Sequence, residues 1–234
     1  MEKVIYVVWR DPAQSAEAFG QQLRKSLAPK LKTMGVKSLR INVADDAIAP
    51  ATAIWQKHST PPVEALVQVW LDSAITQRRA PVDAAIASLA ARHAAYLVTE
   101  SVPLPNVLHP AHFGERTEGF AQIALFPHLE SLTHEAFLNL WQDSHTTVAI
   151  ETQSNFEYVQ NRVVRALTPG APTYHAIIEE CFPTAAMTDP QVFFDAEGDP
   201  AKFDRNLKLM MDSVGRFIDM GRIDVAPTSQ YPMF

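Results

Sequence analysis

The chain reads as an α+β protein made of two tandem copies of one β-α-β-β-α-β unit. Three observations carry that reading. Short apolar, β-branched runs alternate with segments whose apolar residues recur every three or four positions. The order of these elements in residues 1–103 is repeated in residues 118–234. Residues 64–71 can also be laid over residues 175–182 without a gap, matching in pattern more than in identity.

Residues 3–9 are apolar and end before Asp11-Pro12, which makes them a strand. Phe19, Leu23, Leu27 and Leu31 keep a four-residue rhythm, so residues 13–32 form an amphipathic helix, with Gly35 as its stop. A short strand at 38–44 follows. Residues 45–62, rich in Ala, Pro and Thr, form a long loop. A strand at 65–71, a helix at 81–93 with Pro81 in its first turn, and a strand at 95–102 complete the first unit. The second unit opens with a strand at 119–126. A helix capped by Thr133 or a neighbour then runs to about Thr152. Strands at 156–167 and 174–182 precede a helix at 200–220. Its buried side carries Phe203, Leu207, Met210, Met211, Val214, Phe217 and Ile218. Residues 223–225 open a last short strand.

This order is the split βαβ, or ferredoxin-like, unit. Each copy places two helices on one face of a four-stranded antiparallel sheet and leaves the other face bare. Two copies in one chain can cover each other, which makes the chain a pseudo-dimer. Residues 104–117, with Pro105, Pro110 and Gly114, are the linker. The competing reading is two unrelated α+β domains in tandem.

Composition narrows the functions. In 234 residues, 47% are hydrophobic and 20% charged, which is ample for a core. The net charge of −6, with Lys and Arg scattered, speaks against nucleic acid or an anionic membrane as partner. No apolar run nears the ~18 residues of a membrane span. Residues 1–10 lack a small-residue cleavage signal and read as a strand rather than a signal peptide. Cys181 is the only cysteine, so no intramolecular disulfide can form, which fits a reducing compartment. The expected location is the cytoplasm. With 8 glycines, no Gly-rich phosphate loop and no serine elbow, the sequence speaks against a nucleotide-binding fold and against that type of nucleophile. His109 and His112 have a metal-like spacing but no acidic or Cys partners beside them, so no metal site is expected.

Candidate chemistry lies in the second unit. Phe137, Trp141, Ser144, His145, Val148 and Thr152 share one helix face, and the apolar members make it the buried one. His145 therefore points at the sheet, with a pKa suited to proton transfer near neutrality. The competing reading is a core histidine bonded to a carbonyl. On the next strand Tyr158, Gln160 and Arg162 share one face, and Val159, Asn161 and Val163 the other. Tyr158 can orient or protonate an oxygen, and Asn161 can polarise a carbonyl. On the following strand Glu179 and Glu180 stand among apolar residues. One of them faces inwards or the strand is an edge, and an enclosed carboxylate would have a raised pKa.

The series Trp141-x-x-x-His145, Tyr158-Val159-Gln160-Asn161-Arg162-Val163, residues 174–182 with Glu179, and Arg216-Phe217-Ile218-Asp219 resembles the EthD-domain family in its usual order. That resemblance implies ferredoxin-like units whose sheets close into a barrel and a pocket between helices and sheet. It also implies a small, mostly apolar oxygenated substrate and acid–base chemistry without a bound cofactor. The family often has His where Arg162 stands and an acidic residue where His175 stands. The first copy has Leu27 in place of His145 and Gln68 in place of Glu179, so one working pocket is expected, in the second copy.

The expected function is a cofactor-independent enzyme of lyase or isomerase type, acting on an aromatic or polyketide-like compound. His145, Glu179 and Tyr158 are its catalytic residues. Trp141, Asn161, Arg162 and His175 bind substrate. Tyr158 and Asn161 would share an oxyanion, which requires a bulge or twist because they lie on opposite strand faces. Glu179 would set the tautomer of a histidine. Two alternatives use the same pocket: a cofactor-free monooxygenase, and a non-catalytic binding or accessory protein. The expected partner is a small molecule, and a homodimer of the pseudo-dimeric chain stays open.

Overall fold

Alternation within the strands decides the architecture. The computed structural model describes all 234 residues. Eight strands, β1 (Glu2–Trp9), β2 (Ser38–Val43), β3 (Ala65–Leu71), β4 (Arg92–Leu104), β5 (Phe120–Phe126), β6 (Glu157–Ala166), β7 (Ala176–Phe182) and β8 (Asp224–Pro232), form one closed barrel. Its order is β1-β3-β2-β8-β5-β7-β6-β4, and every pairing is antiparallel. The first half contributes the arc β4-β1-β3-β2 and the second the arc β8-β5-β7-β6. The arcs meet edge to edge, β2 on β8 and β4 on β6. Closure leaves no free strand edge for Glu180 to occupy.

Helices cover the outer wall. α1 (Ala16–Gln22), a π-helical turn at Leu23–Leu27 and α2 (Ala28–Thr33) form one continuous rod, capped by the Ser15 hydroxyl. With α3 (Thr76–Ala87) it covers the first arc through Phe19, Leu23, Leu27, Leu31, Val82 and Ile86. On the second arc α4 (His134–Leu138), a π-helical turn at Asn139–His145 and α5 (Thr146–Thr152) repeat that rod, capped by Thr133. The short α6 (Pro190–Phe193) and the longer α7 (Pro200–Val214) complete this layer, α7 capped by Asp199 with Pro200 in its first turn.

Inward-facing residues divide the barrel interior in two. Ile5, Val7, Trp9, Leu66, Tyr96, Ile123, Leu125, Ile177 and Ala226 form an apolar core towards one end. At the other end the inward positions are polar. Arg40 donates to Glu179 at 2.8 Å and to Glu157 at 3.0 Å, and Lys3 to Glu100 at 2.6 Å. Asn42, Gln68 and Gln230 donate to the same glutamates. The closed wall thus holds a charged plug in which the buried carboxylates have donors, as burial requires.

Three boundaries differ from the periodicity. The second helix of the first half is Thr76–Ala87 rather than 81–93, so Pro81 lies inside it; β4 begins at Arg92 because it pairs with β1 from Trp9 onward. The helix expected to reach residue 220 stops at Val214 before Gly215. The strand opening at 223–225 runs to Pro232. Pro227 pairs only with β5, ahead of the stretch that pairs with β2, so its missing N–H breaks no second ladder. The loop expected at 45–62 contains a 3₁₀ turn, Asp46–Ala53.

Candidate functional site

Strand parity brings two ionisable residues to one cavity. On β7 the odd positions Ile177, Glu179 and Cys181 face into the barrel, and Ala176, Ile178 and Glu180 face the helices. The π-helical turn ends at His145 and turns its ring towards the same space. Such turns interrupt the i→i−4 ladder and re-aim side chains, and they recur at functional sites.

Between this wall and α7 lies a cavity of about 380 Å³. Sixteen of its 23 lining residues are hydrophobic, and His145 and Glu180 are its only ionisable ones. Phe126, Ile178, Met210 and Val225 form its floor and sides. The first half supplies Ala53, Ile54 and Gln56 from the Asp46–Ala53 turn and the residues after it. Met211, nearly half exposed on α7, is part of the rim.

Each ionisable group is held from behind. His145, only 5% exposed, places Nδ1 3.0 Å from the Ser213 hydroxyl, which Arg216 also approaches. Its edge meets Phe217, with ring centroids 5.1 Å apart. Nε2 has no partner within the protein. Burial, then the nearby Arg216 guanidinium, pushes the imidazole down to about 4, so it is neutral at pH 7. Glu180 accepts from Asn155 at 3.0 Å and, weakly, from Gln122 at 3.5 Å. Burial pushes its carboxyl up to about 7, against those two donors. A near-neutral carboxyl and a neutral imidazole on an otherwise apolar wall can donate and accept a proton without a net charge on the cavity.

The other expected site residues are placed elsewhere. Glu179 is sealed in the barrel. Burial alone would raise its carboxyl, but Arg40, Asn42, Lys3 and Gln230 outweigh it and hold it down to about 2. It cannot set a histidine tautomer, because parity puts it on the opposite face from His145. Tyr158 is fully buried against Trp141, its hydroxyl taking the indole N–H at 3.4 Å and Gln160 at 3.1 Å. Trp141 is itself core. Asn161 turns into the barrel and donates to the Ile177 carbonyl at 3.0 Å, and no bulge returns it to the side of Tyr158. Arg162 and His175 are absent from the cavity wall, and the His175 ring stacks on His128 at 4.1 Å.

Sequence reading missed Ser213 and the choice of Glu180 over Glu179. Ser213 follows Met210 by three residues, so the buried stripe of α7 could have drawn it in. In the first half Leu27, Val67 and Val69 all belong to one buried apolar cluster.

An eight-stranded antiparallel barrel with helices outside and an apolar cavity beneath them defines this as an α+β barrel protein. Residues 129–221 match the EthD domain model, so the resemblance read from the residues is found over that segment. Among solved structures, an anthrone oxidase-like protein is similar, with a TM-score of 0.57 and 11% identity over 99% of this chain and 93% of that one. A "putative monooxygenase" of Lactobacillus acidophilus is similar at a TM-score of 0.47 and 10% identity, over 99% of this chain and 96% of that one. The first likeness shows the fold. No curated protein matches the chain.

Proposed function

We propose that the protein is a small-molecule enzyme that moves a proton next to a carbonyl, in the manner of an isomerase or lyase. The observation that carries this reading is the solitary pair His145 and Glu180 on an apolar cavity wall. With Nδ1–H donating to Ser213, the Nε2 lone pair removes a proton from carbon. The Glu180 carboxyl gives its proton to the carbonyl oxygen, so an enol forms in place of a charged enolate. An isomerase returns the proton from His145 to another carbon while Glu180 takes back the enol proton; in a lyase Glu180 takes back the enol proton as the leaving group departs with the proton held by His145. The wall holds no cation to pair an anion, so the substrate is uncharged, mostly apolar and carries an oxygen acceptor. Donor and acceptor both come from the chain.

The test is exchange of solvent deuterium into a panel of neutral aromatic ketones, followed by proton NMR. We expect exchange by the wild type, reduced 100-fold or more in His145→Ala and Glu180→Gln, in line with ~10²–10⁴ for a positioned acid or base. The rate should hold between about pH 4 and pH 7, the values of the two groups. Exchange unchanged in both variants would overturn the reading.

A cofactor-free oxygenase is the second reading, favoured by the name of the anthrone oxidase-like neighbour. It predicts oxygen uptake, which the first reading does not. We further infer that the two halves, 1–103 and 118–234, are tandem ferredoxin-like copies joined by the linker 104–117. The two 4-1-3-2 arcs and the matching π-helical turns support this. The setting proposed for this activity is the cytoplasm; no helix is long and apolar enough to cross a membrane.

A further inference from the structure

The barrel has a second depression, at the end remote from the charged plug. Its volume is again about 380 Å³, but only one of its nine lining residues is hydrophobic. The strand ends that surround it are Trp9 of β1, Arg92 of β4, Phe126 of β5 and Asp224 of β8. Its wall carries three basic side chains, His58, Arg92 and Arg222, and no acidic one.

These groups are set in place. The Arg92 guanidinium carbon sits over the Trp9 ring, 4.4 Å from its centroid, and Arg92 makes no ion pair. Its single protein hydrogen bond, to the Thr60 carbonyl, is long at 3.3 Å. Arg222 uses Nε on Asp219 and Nη2 on Glu130, which leaves Nη1 without a partner. The loop carrying His58 is anchored from below. Asp224, 1% exposed, accepts from the backbone N–H of His58 and Ser59 at 2.9 and 2.8 Å and from the Tyr174 hydroxyl at 2.9 Å. Its charge is thereby occupied beneath the wall, and the ring of His58 is left facing outwards.

A cluster of histidines borders the depression. His175 stacks on His128 beside Pro127, and it is pushed down to about 4, first by burial and then by His128, His134 and Arg222. In a chain of net charge −6, this depression thus carries two arginines and a histidine on its wall with no carboxylate among them, and the nearby carboxylates of Asp219 and Glu130 are already engaged by Arg222. Like charges held together cost free energy unless an opposite charge joins them.

We propose that this end of the barrel binds a small anion bearing carboxylate or phosphate groups, held by Arg92, Arg222 and His58. The planar guanidinium of Arg92, preset on Trp9, suits a two-oxygen contact with either. The site is separate from the apolar cavity and does not depend on the reaction proposed there.

Titration calorimetry in low-salt buffer tests this, with inorganic phosphate and succinate as probes and sodium chloride at equal ionic strength as control. We expect saturable binding of at least one probe, absent with chloride and weakened tenfold or more in Arg92→Gln and in His58→Gln. Both side chains are exposed, so unchanged thermal unfolding without probe should confirm that the variants fold. Phosphate binding alone identifies a phosphorylated ligand, and succinate binding alone a carboxylate. No saturable binding by either probe, or binding left intact in Arg92→Gln, overturns the proposal.

Discussion

Glu179 and Glu180 are neighbours with opposite fates, and one residue of strand parity separates them. Glu179 meets a guanidinium and several amide donors, and stays ionised; Glu180 meets an apolar cavity and two amides, and is protonated near neutrality. The folded protein therefore holds a proton on Glu180 between about pH 4.5 and pH 7, where the unfolded chain has lost it. Stability from this group is present at low pH and falls as pH rises through that window. His145 acts in reverse. Its unfolded form takes up a proton below about 6.5 and its folded form only near 4, so its stability is present at neutral pH and lost as pH falls. The two trends oppose each other in the wild type. Glu180→Gln removes only the first, so it should gain stability over the wild type by ~1–3 kcal/mol between pH 5 and pH 8. Urea unfolding at both pH values checks this, and an equal difference at the two values would refute the raised carboxyl.

At the scale of elements, the apolar rhythm of Phe19, Leu23, Leu27 and Leu31, and of Phe137 and Trp141, told which face of each helix is buried. That much was legible because helix period and burial are both local facts. The π-helical turns were not legible, since their cause lies in what the rods pack against. The extent of β8 was hidden by Pro227 and Pro232, which read as strand breakers until their pairing is known. The start of β5 is the most constrained junction. Gly119 has φ +78°, and a Cβ there would stand 1.9 Å from the Phe182 carbonyl oxygen. Gly119→Ala should cost ~2 kcal/mol or more, because it meets both the conformational penalty and a backbone clash. The matching change at Gly114, where nothing lies within 4 Å of a Cβ, should cost less. Thermal unfolding of the pair measures the difference, and equal losses would remove the clash as its cause.

The whole molecule is a ring closed at two seams, and its last residues form one of them. Gln230 donates to Glu157 at 2.7 Å and to Glu179 at 2.8 Å, while Arg40 pairs with Pro232 across the β2–β8 seam. Removing residues 230–234 should open that seam and uncover the charged plug. We expect a fall in Tm of ~10 °C or more, larger than loss of five tail residues from a protein of this size would bring. Circular dichroism melting reports it, and an unchanged Tm would show that the seam is not needed for closure. Much of the protein was determined by sequence alone: the order of strands and helices, the burial of His145, and the presence of carboxylates among apolar residues. Each follows from local periodicity, which sequence records directly. Tertiary structure alone decided which strands meet at the two seams, that Glu180 rather than Glu179 shares a cavity with His145, and that Tyr158 and Asn161 stay apart. Those outcomes depend on which face of a strand becomes the inside of a barrel, and that is known only when residues far apart in the chain close the ring.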